Sequence, residues 1–249
     1  MLRLGHAQPS FAFGAVITAA VLSAVVLSGC GDGHLESLTD VGLSGPGASG
    51  PGLASRDYDA VPIDDLEDGD DEIIPDGGRI GWWYTYKDES NGSQRFEIAR
   101  LRSQERASAF VAHHVGAGFQ IWGAGLGFSL APDIEFYDAS QFVGVTFWAK
   151  TSNPVGMNAR FNLTNRHTTD FGGICGQSGQ CFDHYGLDVW VTAEWQPYTV
   201  FFEDMQTRGW GQPTAYFDAT ALHDVQFLLG EEGEDFELWL DDIAFIAPR

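Results

Sequence analysis

Tyr84, Tyr86 and Trp210 offer flat apolar faces, while Arg160, Asn162 and Gln226 offer planar groups able to make several hydrogen bonds. Strand alternation in "WWYTYK" would put Trp82, Tyr84 and Tyr86 on one side and Trp83, Thr85 and Lys87 on the other. In "ARFNLT" it would send Arg160, Asn162 and Thr164 one way and Phe161 and Leu163 the other; Gln226, between Val225 and Phe227, follows the same logic. A sheet face carrying both kinds of group could stack on pyranose rings and match pairs of hydroxyls, which is the chemistry of sugar recognition. A core role competes for every aromatic. Trp122, Trp148, Trp195 and Trp239 are assigned to the core, and Arg160 has the alternative of pairing with an acid on so negative a chain.

Catalytic signatures are missing. There is no Gly-x-Ser-x-Gly, His-Glu-x-x-His or Gly-x-x-x-x-Gly-Lys, and "WGAGLGF" lacks the helix and downstream acid of a dinucleotide site. Glycoside hydrolysis needs only two carboxylates, and the 35 Asp and Glu residues leave such a pair open. His113 and His114 lie on the strand-like "AFVAHHV", which splits the imidazoles onto opposite faces and makes a shared metal poor geometry.

The elements that must position these groups are strands. "FVGVTFWAK" (142–150), "NARFNLT" (158–164), "WQPYTVFF" (195–202), "DVQFLLG" (224–230) and "DFELWLDDIAF" (235–245) are short, aromatic and β-branched, with period two dominant. Gly, Pro, Asn and Asp clusters punctuate them. No stretch sustains a helical apolar stripe; 97–109 comes nearest, and its apolar content is thin. The expected fold class is all-β, a sandwich or jelly roll, forming one domain over 61–249.

The formal net charge of −22 would repel a phosphate backbone and anionic lipid, so nucleic acid and a peripheral membrane hold are excluded as partners. Neutral glycans, cations and basic proteins remain. Over 30–60 the Gly/Ser/Pro run "GLSGPGASGPG" has too little apolar content to bury and is expected to be a flexible tether.

An apolar stretch from Phe11 to Leu27, preceded by Arg3, ends in Leu27-Ser28-Gly29-Cys30. This resembles the lipobox of bacterial lipoproteins, which implies that 1–29 is a signal peptide, that Cys30 is acylated, and that the lipid anchor is the membrane attachment. An uncleaved membrane anchor is the competing reading. Gly31 follows the cysteine and Asp32 comes one later, so the sorting rule that goes with the resemblance implies the outer membrane or cell surface. Export bears on Cys175 and Cys181. In an oxidising compartment they are expected to form one local disulfide, worth roughly 2 kcal/mol by loop closure. The alternative is a tetrahedral zinc site completed by His184 and His167.

"IDDLEDGD" (63–70), "GRIGWWYTYKD" (78–88), "GAGFQIWGAGLGFSL" (116–130), "YDASQFVGVTFWAK" (137–150), "EWQPYTVFFEDM" (194–205) and "LWLDDIAF" (238–245) together resemble the galactose-binding-like jelly rolls of bacterial carbohydrate-binding modules, family 11 included. The departure is that no catalytic domain accompanies the module. The resemblance implies a structural Ca²⁺ between the first turn and the last strand, with Glu67 and Asp241 as ligands and Asp65, Asp70 and Asp242 as further ones. The acid density between Asp64 and Glu72 agrees, since a hard cation with oxygen ligands would relieve the repulsion. It is not an EF-hand, because Leu66 and Pro75 stand where ligands should be. A solvated acidic turn is the alternative. The expected function is a monomeric, non-catalytic, surface-anchored protein that binds a neutral polysaccharide. Competing with it are a structural or adhesive envelope protein without sugar affinity and a glycan-degrading enzyme.

Overall fold

A computed structural model describes residues 58–249, apart from 103 and 104 and the side chains of 177 and 232. The expected acylation at Cys30 and nearly all of the tether lie outside these residues. No α-helix forms among them. The strands are β1 (Tyr58–Asp64), β2 (Trp83–Lys87), β3 (Ser93–Arg100), β4 (Phe110–Ala117), β5 (Ala124–Ser129), β6 (Gly144–Thr151), β7 (Met157–Asn165), β8 (Tyr185–Val191), β9 (Gln196–Phe201), β10 (Leu222–Leu229) and β11 (Phe236–Pro248). Strand β1 starts ahead of the expected domain boundary at 61, because Tyr58 pairs with Pro248 and extends the sheet to the end of β11.

Two antiparallel sheets face each other. One has the order β3-β4-β11-β6-β9 with β1 also on β11, and the other the order β2-β5-β10-β7-β8. Strand β11 organises the first sheet: its opening half pairs with β4, its closing half with β1, and its other edge with β6. A register shift between Asp241 and Ala244 separates the halves, and Asp242 takes a left-handed φ of 48° there.

Alternation sends Val145, Phe147 and Ala149 of β6 inward to meet Phe161 and Leu163 of β7 and Val225 and Phe227 of β10, all of them buried. The Phe147 ring centre lies 5.6 Å from Phe161 and 5.0 Å from Phe227. Truncating such a ring to alanine costs about 3–5 kcal/mol, so these inner faces hold the sandwich closed.

The same alternation corrects the assignment of the tryptophans. Trp195 is buried as assigned, whereas Trp122, Trp148 and Trp239 are not; the tryptophan of the core cluster is Trp83. Because Phe147 and Leu238 face inward, Trp148 and Trp239 must face out. There cations cover them: Arg106 lies 4.2 Å from the Trp148 ring and 5.3 Å from Trp195, and Lys150 lies 5.1 Å from Trp239. The two histidines split as expected. His113 stacks on Trp239 outside, and fully buried His114 bonds Gln94 at 2.8 Å inside.

Candidate functional site

The outer face of the β2-β5-β10-β7-β8 sheet is a two-row grid. One row runs Tyr86, Gly125, Leu228, Arg160, Asp188, and the adjacent row runs Tyr84, Gly127, Gln226, Asn162, Gly186. Positions two apart share a face, so all ten line one surface. Glycine at 125 and 186 leaves room for long neighbours to lie flat. A Cβ at Gly125 would come within 2.4 Å of Tyr86 Cζ, and one at Gly186 within 2.2 Å of Asn162 Oδ1.

Loops raise walls around this floor. Tyr84, Tyr86, Arg160, Asn162, Trp210 and Gln226 all line one cavity of about 870 Å³. The six residues singled out for sugar recognition therefore meet in one place. Trp122 and Phe182 join them, the first stacked on Tyr86 at a centroid distance of 6.0 Å and the second 59% exposed. His184, Asp183, Arg208, Glu89 and Glu231 complete the polar lining. Trp122 stands 36% exposed between β4 and β5 rather than in the core to which its size assigned it. Phe182 follows the second half-cystine directly, and its φ of 75° could not be read from the sequence.

The floor is strongly interconnected. Gln226 Nε2 donates to Tyr84 Oη at 2.8 Å. Arg160 donates from Nε to Asn162 Oδ1 at 3.1 Å, from Nη2 to the Gln206 carbonyl at 2.8 Å and from Nη1 to Asp188 at 3.4 Å. Arg208 bridges Glu231 and Asp188. Burial and the nearby Asp224 carboxylate push the Tyr84 and Tyr86 phenols far up, so both remain protonated donors. Burial pushes the His184 imidazole down to about 4; it is neutral at pH 7 and bonds Thr168 Oγ1 at 2.8 Å.

Two buried carboxylates hold the wall loops. Asp88 Oδ2 accepts the N–H groups of Ile121, Trp122 and Gly123 at 2.9, 3.1 and 3.0 Å. Burial opposes its charge, but these bonds and Ser90 outweigh burial and hold the Asp88 carboxyl well below the usual range. Asp183 accepts from Arg208 and Gly211 on either side of Trp210. The Cys175–Cys181 disulfide closes the loop that immediately precedes Phe182. His184 bonds Thr168 instead of joining those sulfurs, so the zinc alternative has no place.

The carboxylates expected to bind calcium are arranged differently. Asp65 and Asp70 each accept a backbone N–H two residues on, Glu67 accepts the Ala109 N–H, and Asp241 and Asp242 both accept from Arg106. No three His, Cys, Asp or Glu converge on a metal position among the described residues. A guanidinium supplies positive charge between the first turn and the last strand, and each of the five carboxylates accepts from an N–H donor in this arrangement.

No protein-family model and no curated protein matches the chain. Solved structures do. A family 11 carbohydrate-binding module of the cellulase Lic26A-Cel5E of Clostridium thermocellum superposes with a TM-score of 0.54 at 15% identity, over 76% of this chain and 95% of that one. The fold is the jelly roll of carbohydrate-binding modules. A family 30 module matches at a TM-score of 0.53 and 12% identity, over 76% of this chain and 88% of its own. A family 11 module of C. thermocellum in complex with a β-1,3-1,4-mixed-linked tetrasaccharide matches at 0.50 and 14%, over 72% and 95%.

Proposed function

We propose that this chain is a non-catalytic, lipid-anchored protein of the bacterial cell envelope that holds a neutral polysaccharide on the five-stranded sheet. One observation carries the reading: six residues chosen for ring stacking and hydroxyl pairing, scattered from Tyr84 to Gln226 in sequence, line a single cavity. The floor crosses five strands at about 4.8 Å spacing, so it spans roughly 19 Å, room for several pyranose rings. The jelly roll supports this, since the matching modules are named for carbohydrate binding and one was solved in complex with a β-1,3-1,4-mixed-linked tetrasaccharide. A net charge of −22 favours neutral over acidic glycans. Cys30 supplies the anchor on this reading, and Cys30→Ser should move the protein from the membrane to the soluble fraction.

The test is affinity electrophoresis of the full chain in detergent against soluble polysaccharides, with β-1,3-1,4-mixed-linked glucan first. Retardation by a neutral glucan supports the proposal. No retardation by any neutral polysaccharide favours the second reading, a structural or adhesive envelope protein. That reading has its own support, since Arg160 directs all three guanidinium nitrogens to protein acceptors.

A further inference from the structure

Trp210 sits between Gly209 and Gly211 on a loop without regular structure; Gly209 has a φ of 83°, and the indole is 57% exposed. A Gly-Trp-Gly tip alone would sample many orientations. Here its backbone is fastened on both sides by one side chain. Asp183 Oδ1 accepts the Arg208 N–H at 2.8 Å and Oδ2 accepts the Gly211 N–H at 2.9 Å, while the Gln180 carbonyl accepts the Gln212 N–H at 2.8 Å. Asp183 is only 5% exposed. A Cβ on residue 211 would come within 2.4 Å of Asp183 Cβ, so glycine there is what permits the approach.

Asp183 is itself held. Cys181 is disulfide-bonded to Cys175, and the Phe182 N–H donates to the Thr168 carbonyl at 2.8 Å. Phe182 takes a left-handed φ of 75°, a conformation that costs energy for a bulky residue and persists only where the surroundings impose it. That turn directs the backbone so that Phe182 lines the cavity while Asp183 reaches the Trp210 loop.

The geometry points to Asp183 as a positioning residue for ligand binding: it fixes Trp210 as a pre-formed platform, so that the loop is not ordered at the expense of affinity when glycan arrives. The binding arm of this inference rests on the glycan reading of the cavity. Asp183 acts through Trp210, so the two residues should be coupled.

A double-mutant cycle on the full chain in detergent, with β-1,3-1,4-mixed-linked glucan as probe, tests this. Asp183→Ala should weaken binding about tenfold in the wild-type background and by less than about twofold in the Trp210→Ala background. An equal loss in both backgrounds would mean that Asp183 contacts the ligand itself, and would overturn the inference. A second readout needs no glycan. In protein labelled with 5-fluorotryptophan, the ¹⁹F resonance assigned by its absence in Trp210→Ala should broaden or shift in Asp183→Ala, and less so in Asp183→Asn, which keeps one acceptor oxygen. An unchanged resonance refutes the positioning role. Failure of the wild type to bind any glucan, with the resonance still responding, refutes the glycan reading alone. If Asp183→Ala does not fold, Asp183→Asn carries both measurements.

Discussion

Arg106 Nε donates to Asp241 Oδ2 across 2.6 Å, and the same guanidinium reaches Asp242 and covers the Trp148 ring. Asp241 is fully buried and the Arg106 side chain only 10% exposed. With Glu67 accepting the Ala109 N–H, the loop between β3 and β4 ties the opening turn to the last strand. Arg106→Met should therefore destabilise the domain by about 3–5 kcal/mol, the scale of leaving a buried charge unpaired. A chelator should leave the melting temperature of the wild type where it is. A clear fall on chelation, reversed by calcium, would show that the metal displaces Arg106.

The disulfide prediction is chemical and energetic. Non-reducing mass spectrometry of the peptide spanning Cys175 and Cys181 should show the mass deficit of two hydrogens. Replacing both by serine should cost roughly 2 kcal/mol of stability, because the loop closed is short. Glycan affinity should fall further than that loss of stability explains, since the freed loop leads directly into Phe182 and Asp183. An affinity unchanged in the folded double variant contradicts this.

His184 gives a pH dependence. Burial depresses its pKa from 6.5 to about 4, so the folded state excludes a proton that the unfolded state accepts. Stability is then present in full above about pH 6.5 and is lost as pH falls toward 4. Buried His114 shifts the same way, also to about 4, so the two share that window. His184→Gln should flatten part of the decline in melting temperature between pH 6.5 and 4. A decline as steep as the wild type's would remove His184 from the account.

Much of this was legible in period two. The five strands named from sequence correspond to β6, β7, β9, β10 and β11, and the pairs Tyr84/Tyr86 and Arg160/Asn162 share a face because alternation requires it. Strand β5 was not legible: "AGLGFS" carries glycines where a strand usually carries β-branched residues, and only the register shows that Gly125 makes room for Tyr86. The tryptophans misled because size argues for burial, while cations on the outer face covered them: Arg106 from the β3–β4 loop over Trp148, and Lys150 from the neighbouring strand β6 over Trp239. Asp88 and Asp183 could not be singled out among 35 acids, since what distinguishes them is the set of N–H groups that converge on each.

The last prediction separates platform from scaffold within the cavity. Trp122 and Trp210 are 36% and 57% exposed and stand on loops, so truncating either to alanine should leave the fold intact. Each should weaken every glucan that binds by roughly 1–3 kcal/mol, the scale of losing a buried apolar face. Arg160 belongs to the other class. Its three hydrogen bonds to Asn162, Gln206 and Asp188 tie β7 to β8 and to the segment that follows β9. Arg160→Ala leaves Asn162 Oδ1 without that donor under a nearly buried floor, at about 1–3 kcal/mol, while Asp188 keeps Arg208 and the Gln206 carbonyl keeps the Gly186 N–H. The melting temperature should fall for Arg160→Ala and hold for Trp122→Ala and Trp210→Ala, while affinity falls in all three. Calorimetric melting beside affinity electrophoresis measures both. An Arg160→Ala variant that melts like the wild type but prefers a different glycan would move Arg160 from scaffold to hydroxyl recognition.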